Sequence, residues 1–364
     1  MKTIVLTGGG SAGHVIPHLA LLPLLRQRFD RIVYIGGHTG IEKDIISKQA
    51  GVEYYGVTAA KLRRKLTLKN LAVPYKAVKG ICEAKRLLKQ IKPDVVFSKG
   101  GFVAVPAVFA AARLKIPVVA HESDYTAGLA NRLTCRKCRA VCATFEDTVK
   151  LIKANGRFTG APIRKELYKG DKAAVMKRHG FAGGKPVLLV MGGSLGAKAI
   201  NAALRANLKE FCADYDIIHI CGRGNSQPFG PLPAVPMATP PPLTADHYIQ
   251  YEFTEDVAGL FAAADVVISR AGSGSVFELL ALKKPMLLIP LPKAESRGDQ
   301  LLNAEYFCKR GIARVLRQEN MTGKTLKAAA DKLYQERQKL IDNMSKEKNA
   351  DGTENIFKVI CEFS

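Results

Sequence analysis

The sequence predicts an α/β chain of two domains, each built on a parallel sheet. Three observations carry that expectation. Short apolar, β-branched runs alternate with helical-period segments from end to end, the pattern of buried strands joined by crossover helices. At 364 residues the chain has the length of two domains rather than one. Each half also opens alike, with a strand that runs into a glycine loop: Gly8-Gly9-Gly10-Ser11-Ala12-Gly13 in the first and Gly192-Gly193-Ser194-Leu195-Gly196 in the second. Two Rossmann-like domains facing across a cleft are the simplest arrangement.

In the first half the expected strands are Thr3–Thr7, Arg31–Ile35, Glu53–Val57, Asp94–Ser98, Pro117–Ala120, Ala140–Ala143 and Arg157–Thr159. In the second they are Pro186–Met191, Asp216–Cys221, Tyr248–Tyr251, Asp265–Ser269, Pro285–Pro290 and Ala313–Leu316. The break falls between Gly160 and Lys185, where a proline turn, a charged helix and a Gly-Gly-Lys-Pro link follow one another. The expected division is residues 1–163, residues 164–345, and a C-terminal helical segment, 346–364, packing back toward the first domain. The proline-rich run from Gln227 to Thr244 reads as a surface loop, since proline cannot join a ladder.

Composition is that of a folded protein, at 47% hydrophobic and 24% charged, but the charge is unbalanced. Fifty-five Lys and Arg against 32 Asp and Glu give +23, which calls for an anionic partner. Nucleic acid lacks any recognised binding motif here. An acidic membrane face and phosphorylated small molecules remain. Met1-Lys2 leads straight into a strand with no secretory pattern, and no apolar run approaches the roughly 20 residues that span a bilayer. A cytoplasmic protein is expected. Most of the eight cysteines stand singly in apolar runs, as reduced core residues do. Cys135, Cys138 and Cys142 lie closer, but a lone C-x-x-C without a second pair or nearby histidines is a poor zinc site. Between Lys61 and Lys92 eleven basic residues face one acid, Glu83, with leucines, valines and Tyr75 interleaved. This reads either as a surface that rests on anionic lipid or as a solvated helix face over a core.

The most informative stretch is Ser269 to Asn303. An apolar strand enters the small-residue turn Ala271-Gly272-Ser273-Gly274-Ser275, a helix opens there with Glu278 expected on its first turn, and a second buried strand leads to Asp299-Gln300. Amides at a helix start suit a diphosphate. A carboxylate just beyond can accept two hydrogen bonds from a vicinal diol such as a ribose. Ser194, in the other glycine loop, offers hydroxyl and N–H donors to the same phosphates, and Arg164 at the domain junction is a candidate to reach them. Phe253, at a strand end, reads either as cover for a base or as a core aromatic.

In the first half Gly8, Gly10 and Gly13 spell G-x-G-x-x-G, yet the second strand ends in Gly36-Gly37-His38, without the acid that holds an adenosine ribose. The loop is therefore available for another role. His14 follows it, as a base, an anion donor or a helix cap. Lys99-Gly100-Gly101-Phe102 and His121-Glu122-Ser123-Asp124 close two more strands and complete one rim of a cleft. His121 alone reads as a core histidine, and Glu122 and Asp124 as caps for the next helix. Asp214-Tyr215-Asp216 resembles a metal-binding triplet but precedes a strand, where turn chemistry explains it. No metal or cofactor is expected.

Taken together, TGGGSAGHVIP (Thr7–Pro17), SKGGFVAVP (Ser98–Pro106), HESDYTAGLANR (His121–Arg132), TGAPIR (Thr159–Arg164), MGGSLGA (Met191–Ala197), SRAGSGSVFE (Ser269–Glu278) and DQLLNA (Asp299–Ala304) resemble the MurG family of bacterial glycosyltransferases. The resemblance covers essentially the whole chain. It implies the GT-B architecture, with nucleotide in the C-terminal domain and acceptor in the N-terminal one. It also implies inverting transfer of GlcNAc from UDP-GlcNAc to the C4 hydroxyl of undecaprenyl-pyrophosphoryl-MurNAc-pentapeptide (lipid I), giving lipid II. Carried over by position, Glu278 would bind the uridine ribose, and Phe253 with the Thr254 backbone the uracil. Ser194 with the amides of Gly274 and Ser275 would hold the diphosphate, with Arg164 close by, and Gln300 the sugar hydroxyls. His14 would activate or position the acceptor, with Ser11 and Gly13 beside it. Many members carry Gln-Asn at Ser123-Asp124 and Gln at Asp299, so Asp124 and Asp299, both expected near the donor sugar, are departures. Implied partners are UDP-GlcNAc, lipid I, the anionic inner leaflet and other cell-wall enzymes, with the protein peripheral at the cytoplasmic face of the membrane. The competing expectations are a related transferase with another lipid acceptor and a non-catalytic UDP-sugar-binding scaffold.

Overall fold

The computed structural model describes residues 1–60, 72–152, 155–193, 196–227, 243–245 and 247–364. The chain divides into two compact units, Met1–Arg164 with Asn349–Ser364, and Lys165–Lys348.

The first unit holds seven strands: β1 (Thr3–Thr7), β2 (Arg31–Gly37), β3 (Val52–Val57), β4 (Val95–Ser98), β5 (Val118–Glu122), β6 (Ala140–Ala143) and β7 (Gly156–Phe158). All pair in parallel in the order β3-β2-β1-β4-β5-β6-β7. Alternate residues of β1 face opposite sides, as a pleated strand requires. Ile4 and Leu6 pack with Leu21 and Leu25 on one face, while Val5 packs with Ala107 and Ala111 on the other. Ile356, Val359 and Ile360 of the helix Thr353–Glu362 join the first of these cores, so the end of the chain belongs to this unit. It is pinned there by Thr353 Oγ1, which accepts from Ile163 N at 2.8 Å, and by Asn355 Nδ2, which donates to the Thr159 carbonyl at 3.2 Å.

The second unit holds β8 (Val187–Met191), β9 (Asp216–Ile220), β10 (Leu243–Ala245), β11 (Tyr248–Tyr251), β12 (Val266–Ser269), β13 (Met286–Leu288) and β14 (Arg314–Val315), ordered β10-β11-β9-β8-β12-β13-β14. Every pairing is parallel except β10 with β11. This corrects the reading of Gln227 to Thr244 as loop throughout. Once past Pro242 the backbone regains its donors, and Leu243–Ala245 adds an antiparallel edge.

In both units the strand order reverses beside the first strand: between β1 and β4, and between β8 and β12. Loops leaving neighbouring strands at such a point splay to opposite faces and open a crevice at the strands' C-terminal ends.

Candidate active site

In the second unit both loops at the reversal are built from small residues. After β8, Gly196 N donates to the Gly193 carbonyl at 2.7 Å, and Gly196 has φ +78°; a Cβ there would lie 2.0 Å from the Cys221 carbonyl oxygen. No residue but glycine fits. Ser194 lies outside the described residues. After β12 the chain turns through Ala271-Gly272, and the helix Ser273–Ala281 begins with Gly272 as its cap residue, which has no side chain to bond the first amides. A Cβ added at Gly272 or Gly274 would meet nothing within 4 Å. Gly272 and Ser275 line a cavity, with the positive end of the helix dipole behind it.

Glu278 is the sixth residue of that helix, which places it on the second turn and corrects the first-turn expectation. The helix starts at Ser273, so Glu278 lies four residues beyond Gly274 and on the same face. The carboxylate thus borders the amide cluster from one turn away.

A cavity of about 520 Å³ opens here, lined among others by Gly192, Gly193, Gly272, Ser275 and Gln300. Gln300 Oε1 accepts from Leu291 N at 3.1 Å, which leaves its NH2 as the donor end. Among the further lining residues that the sequence did not single out are Arg270, Glu295 and Gln318. Arg270 is buried, donates to the Ile289 carbonyl at 3.1 Å, and has its pKa lowered by burial, against the opposing pull of Glu295. Its signal was present in Ser269-Arg270-Ala271, a cation at the end of an apolar strand. Asn303, fully buried, donates to the Ala271 carbonyl at 3.1 Å and fixes the turn. Asp299 opens the helix Asp299–Lys309, where a carboxylate complements the dipole.

Phe253 and Thr254 follow β11 and are not among the residues lining this cavity. Phe253 is 48% exposed, which removes the core-aromatic reading. The Arg223 guanidinium lies 5.0 Å from its ring centroid. Thr254 Oγ1 accepts from Asp256 N at 3.1 Å. Of the metal-like triplet, Asp214 pairs with Lys327 at 2.6 Å and Asp216 with His247 at 2.7 Å, so both carboxylates have structural partners. Among the described residues no group of three or more His, Cys, Asp or Glu side chains is placed to hold a metal ion.

In the first unit Ala12–His14 forms a short 3-10 turn, and the α-helix starts only at Ile16. His14 therefore stands ahead of that helix rather than on its first turn, because Val15 N closes back on the Ala12 carbonyl and Pro17 has no amide to extend the turn. Its Nδ1 lies 2.8 Å from Ser11 Oγ. Ser11 and Gly13 are exposed. Beneath them the glycine loop is filled from within. The Glu42 carboxylate accepts from Gly10 N at 3.1 Å and Gly37 N at 3.3 Å, and a Cβ on Gly9 would lie 2.7 Å from it. A phosphate in that loop would meet a carboxylate. Glu42 was not legible as part of the loop.

The β4 and β5 ends carry the third and fourth loops. Glu122 accepts from Asp124 N at 3.1 Å, Gly128 N at 2.9 Å and Asn131 Nδ2 at 2.8 Å, the capping role foreseen for it; burial first and Asp124 second push its pKa up. Asp124 sits on the same loop, half-buried. Arg164 is the last residue of the first unit's main segment, also half-buried.

The second unit's sheet brings an uncapped helix start and the Gln300 side chain to one cavity, with Glu278 one turn on but not among the residues lining it, a set of groups suited to a nucleoside diphosphate carrying a sugar. Two Rossmann-like units in one chain, one of them carrying these groups, are the architecture of a GT-B glycosyltransferase. The chain belongs to glycosyltransferase family 28: the family's N-terminal domain matches residues 4–143 and its C-terminal domain residues 187–358. It is 48% identical, over 100% of both chains, to the UDP-N-acetylglucosamine–N-acetylmuramyl-(pentapeptide) pyrophosphoryl-undecaprenol N-acetylglucosamine transferase of Clostridium botulinum (strain Loch Maree / Type A3). It is 47% identical to the enzyme of the same name from Lachnospira eligens, over 99% of both chains. The crystal structure of MurG from Acinetobacter baumannii superposes with a TM-score of 0.76 at 26% identity, covering 100% of both chains.

Proposed function

We infer that the chain transfers GlcNAc from UDP-GlcNAc to the C4 hydroxyl of lipid I, inverting the anomeric carbon and giving lipid II for peptidoglycan synthesis. The observation that carries this reading is the uncapped helix start at Gly272 to Ser275 with Glu278 one turn on. Full-length relatives at 48% identity bearing that activity's name support the choice of sugar and acceptor.

The chemistry follows from the geometry. The C4 oxygen attacks the anomeric carbon as the bond to the diphosphate breaks, and UDP leaves with the electron pair. Amides aimed at the β-phosphate stabilise that growing charge more in the transition state than before it. Glu278 holds the ribose, the Gln300 amide the sugar hydroxyls, and Phe253 with Thr254 the uracil. Ser194 and Arg164 are assigned to the diphosphate. In the first unit His14 accepts the C4 proton. That role requires the tautomer in which Nδ1–H donates to Ser11, so that Nε2 is the accepting atom. Ser11, Gly13, Asp124 and Asp299 complete the proposed contacts.

No helix among the described residues is long and apolar enough to cross a membrane. The helix Val73–Ile91 buries Gly80, Ala84, Leu88 and Ile91 while Tyr75 is 72% and Val78 62% exposed beside Lys76 and Lys79. A buried stripe and a basic, apolar outer face coexist on this helix, which supports peripheral attachment to an anionic inner leaflet, beside other cell-wall enzymes. Arg63, Arg64 and Lys65, part of the same basic stretch, lie outside the described residues.

The direct test is release of UDP from UDP-GlcNAc by purified protein with and without a lipid I analogue. Release that depends on the analogue and is indifferent to chelator is expected. Release without acceptor, or full loss on chelation, refutes the reading.

A further inference from the structure

Lys99 follows β4 and is 2% exposed. Its ammonium meets His121 Nδ1, and Ser123 Oγ at 2.5 Å. Both partners lie at the end of β5, which pairs with β4, so one buried cation ties two neighbouring rim loops together. An ammonium only donates. His121 Nδ1 must therefore carry the lone pair, and its Nε2–H donates to the Gly160 carbonyl at 3.1 Å. Burial, and then the Lys99 charge, hold this imidazole neutral. Ser123 Oγ accepts from Lys99, which leaves the serine hydrogen to be directed elsewhere. The neighbouring Glu122 is already bonded to two backbone amides and Asn131. Burying an amine is costly, and an apolar side chain of similar length would fill the space more cheaply. Stability alone does not explain a lysine here.

We propose that Lys99 is a positioning residue of the first unit's rim: it fixes the His121 tautomer and sets Ser123 as a hydroxyl donor beside Asp124, a donor–acceptor pair that addresses a sugar hydroxyl. This rests on the transferase reading above and concerns the Ser123-Asp124 loop. Burial pulls the Lys99 pKa down to about 8, against Glu122, Asp124 and Cys142, which pull it back up. His18, on the helix Ile16–Arg28, faces the same cation and is neutral, as is His121. Loss of the Lys99 proton near that pH removes the charge and gives the nitrogen a lone pair that can accept the Ser123 hydrogen, so the serine no longer has to present that hydrogen outward.

The experiment compares Lys99→Met, Ser123→Ala and the double variant in turnover of UDP-GlcNAc with a lipid I analogue from pH 6.5 to 9.5. Each single variant is expected to lower kcat about tenfold, the double no further than the worse single, because Lys99 acts through Ser123. UDP affinity should be unchanged. The unmodified enzyme should lose kcat above pH 8, and both single variants should lack that alkaline limb. Additive losses, or a limb that survives in Ser123→Ala, overturn the proposal, and Ser123→Ala serves alone if Lys99→Met does not fold. Where unmodified protein shows no turnover at all, the transferase reading fails, and nitrogen-15 NMR of His121 still decides the network. A tautomer shift in Lys99→Met supports it, and an unchanged imidazole signal overturns it.

Discussion

Replacing Glu278 by Ala should weaken UDP binding by two orders of magnitude or more, and the structure says why the loss should be confined to the ribose. Glu278 stands four residues beyond Gly274 on the helix Ser273–Ala281, half-buried at its outer side, so truncation opens no core cavity. A carboxylate there can accept both ribose hydroxyls. Hydrogen bonds to a charged group contribute roughly 1.5–3 kcal/mol each. Two such bonds give at least about 3 kcal/mol, or a hundredfold in Kd at 1.4 kcal/mol per decade. Isothermal titration with UDP and with its 2′,3′-dideoxy analogue isolates the term. The parent protein should discriminate strongly between the two nucleotides, and Glu278→Ala should bind both alike and weakly. Equal weakening of the two ligands by the substitution, with discrimination intact, would falsify the ribose assignment and return Glu278 to a structural role.

Four other outcomes follow from the same coordinates. Gly196→Ala forces a left-handed residue, at about 1–2 kcal/mol, and sets a Cβ 2.0 Å from the Cys221 carbonyl oxygen, so UDP affinity should fall at least tenfold by titration; unchanged binding refutes the loop's role. Ile360→Ala deletes a fully buried side chain of the C-terminal helix and should lower unfolding free energy by about 2–5 kcal/mol in urea titration, while a cost near zero would show that this helix does not hold the first core. His18 and His219 are buried with pKa values held down to about 3, mainly by burial, and His121 well below 6.5. The unfolded chain then binds more protons below pH 6.5, so stability present above that pH is lost as pH falls toward 3, by up to about 1.4 kcal/mol per pH unit per histidine, with the raised Glu122 offsetting part near the acid end; urea titrations at pH 7, 6 and 5 with no decline refute it. Lys76→Gln with Lys79→Gln should cost about 2 kcal/mol of partitioning onto anionic vesicles, roughly thirtyfold in co-sedimentation, and no change refutes the membrane face.

The strands were legible because parallel strands buried on both faces are continuous apolar runs, and here most are followed at once by glycine or a polar residue. Leu243–Ala245 was hidden because three residues after a proline run carry no periodicity, and their pairing depends on the exposed edge of β11. The Glu278 register depended on where the helix begins, which Ala271-Gly272-Ser273-Gly274-Ser275 leaves open by a turn. Glu42, Lys99 and His18 were illegible for a shared reason. The significance of Glu42 and Lys99 lies in burial and in partners 32 and 22 residues away, and that of His18 in burial beside Lys99, much further along the chain, which no local spacing encodes. Arg270 stood inside a recognised motif, but only its burial beneath the glycine turn distinguishes it from a surface cation.

On the proposed reading, the two glycine loops account for one nucleotide site rather than two. Both follow the first strand of a sheet at the point where its order reverses, and both need glycine for close backbone approach. In the first unit Glu42 enters from the helix Ile41–Ile46 and accepts from the loop amides, so the positions that would take a phosphate already hold an anion. In the second, a Cβ on Gly193, Gly272 or Gly274 would touch nothing, and the neighbouring buried charge is a cation, Arg270. The sign of one buried side chain therefore separates an anion-accepting crevice from a self-satisfied one. The first unit's rim carries hydrogen-bonding groups, His14 with Ser11 and, around the buried Lys99, His121 and Ser123, suited to presenting an alcohol for attack rather than to holding a departing diphosphate.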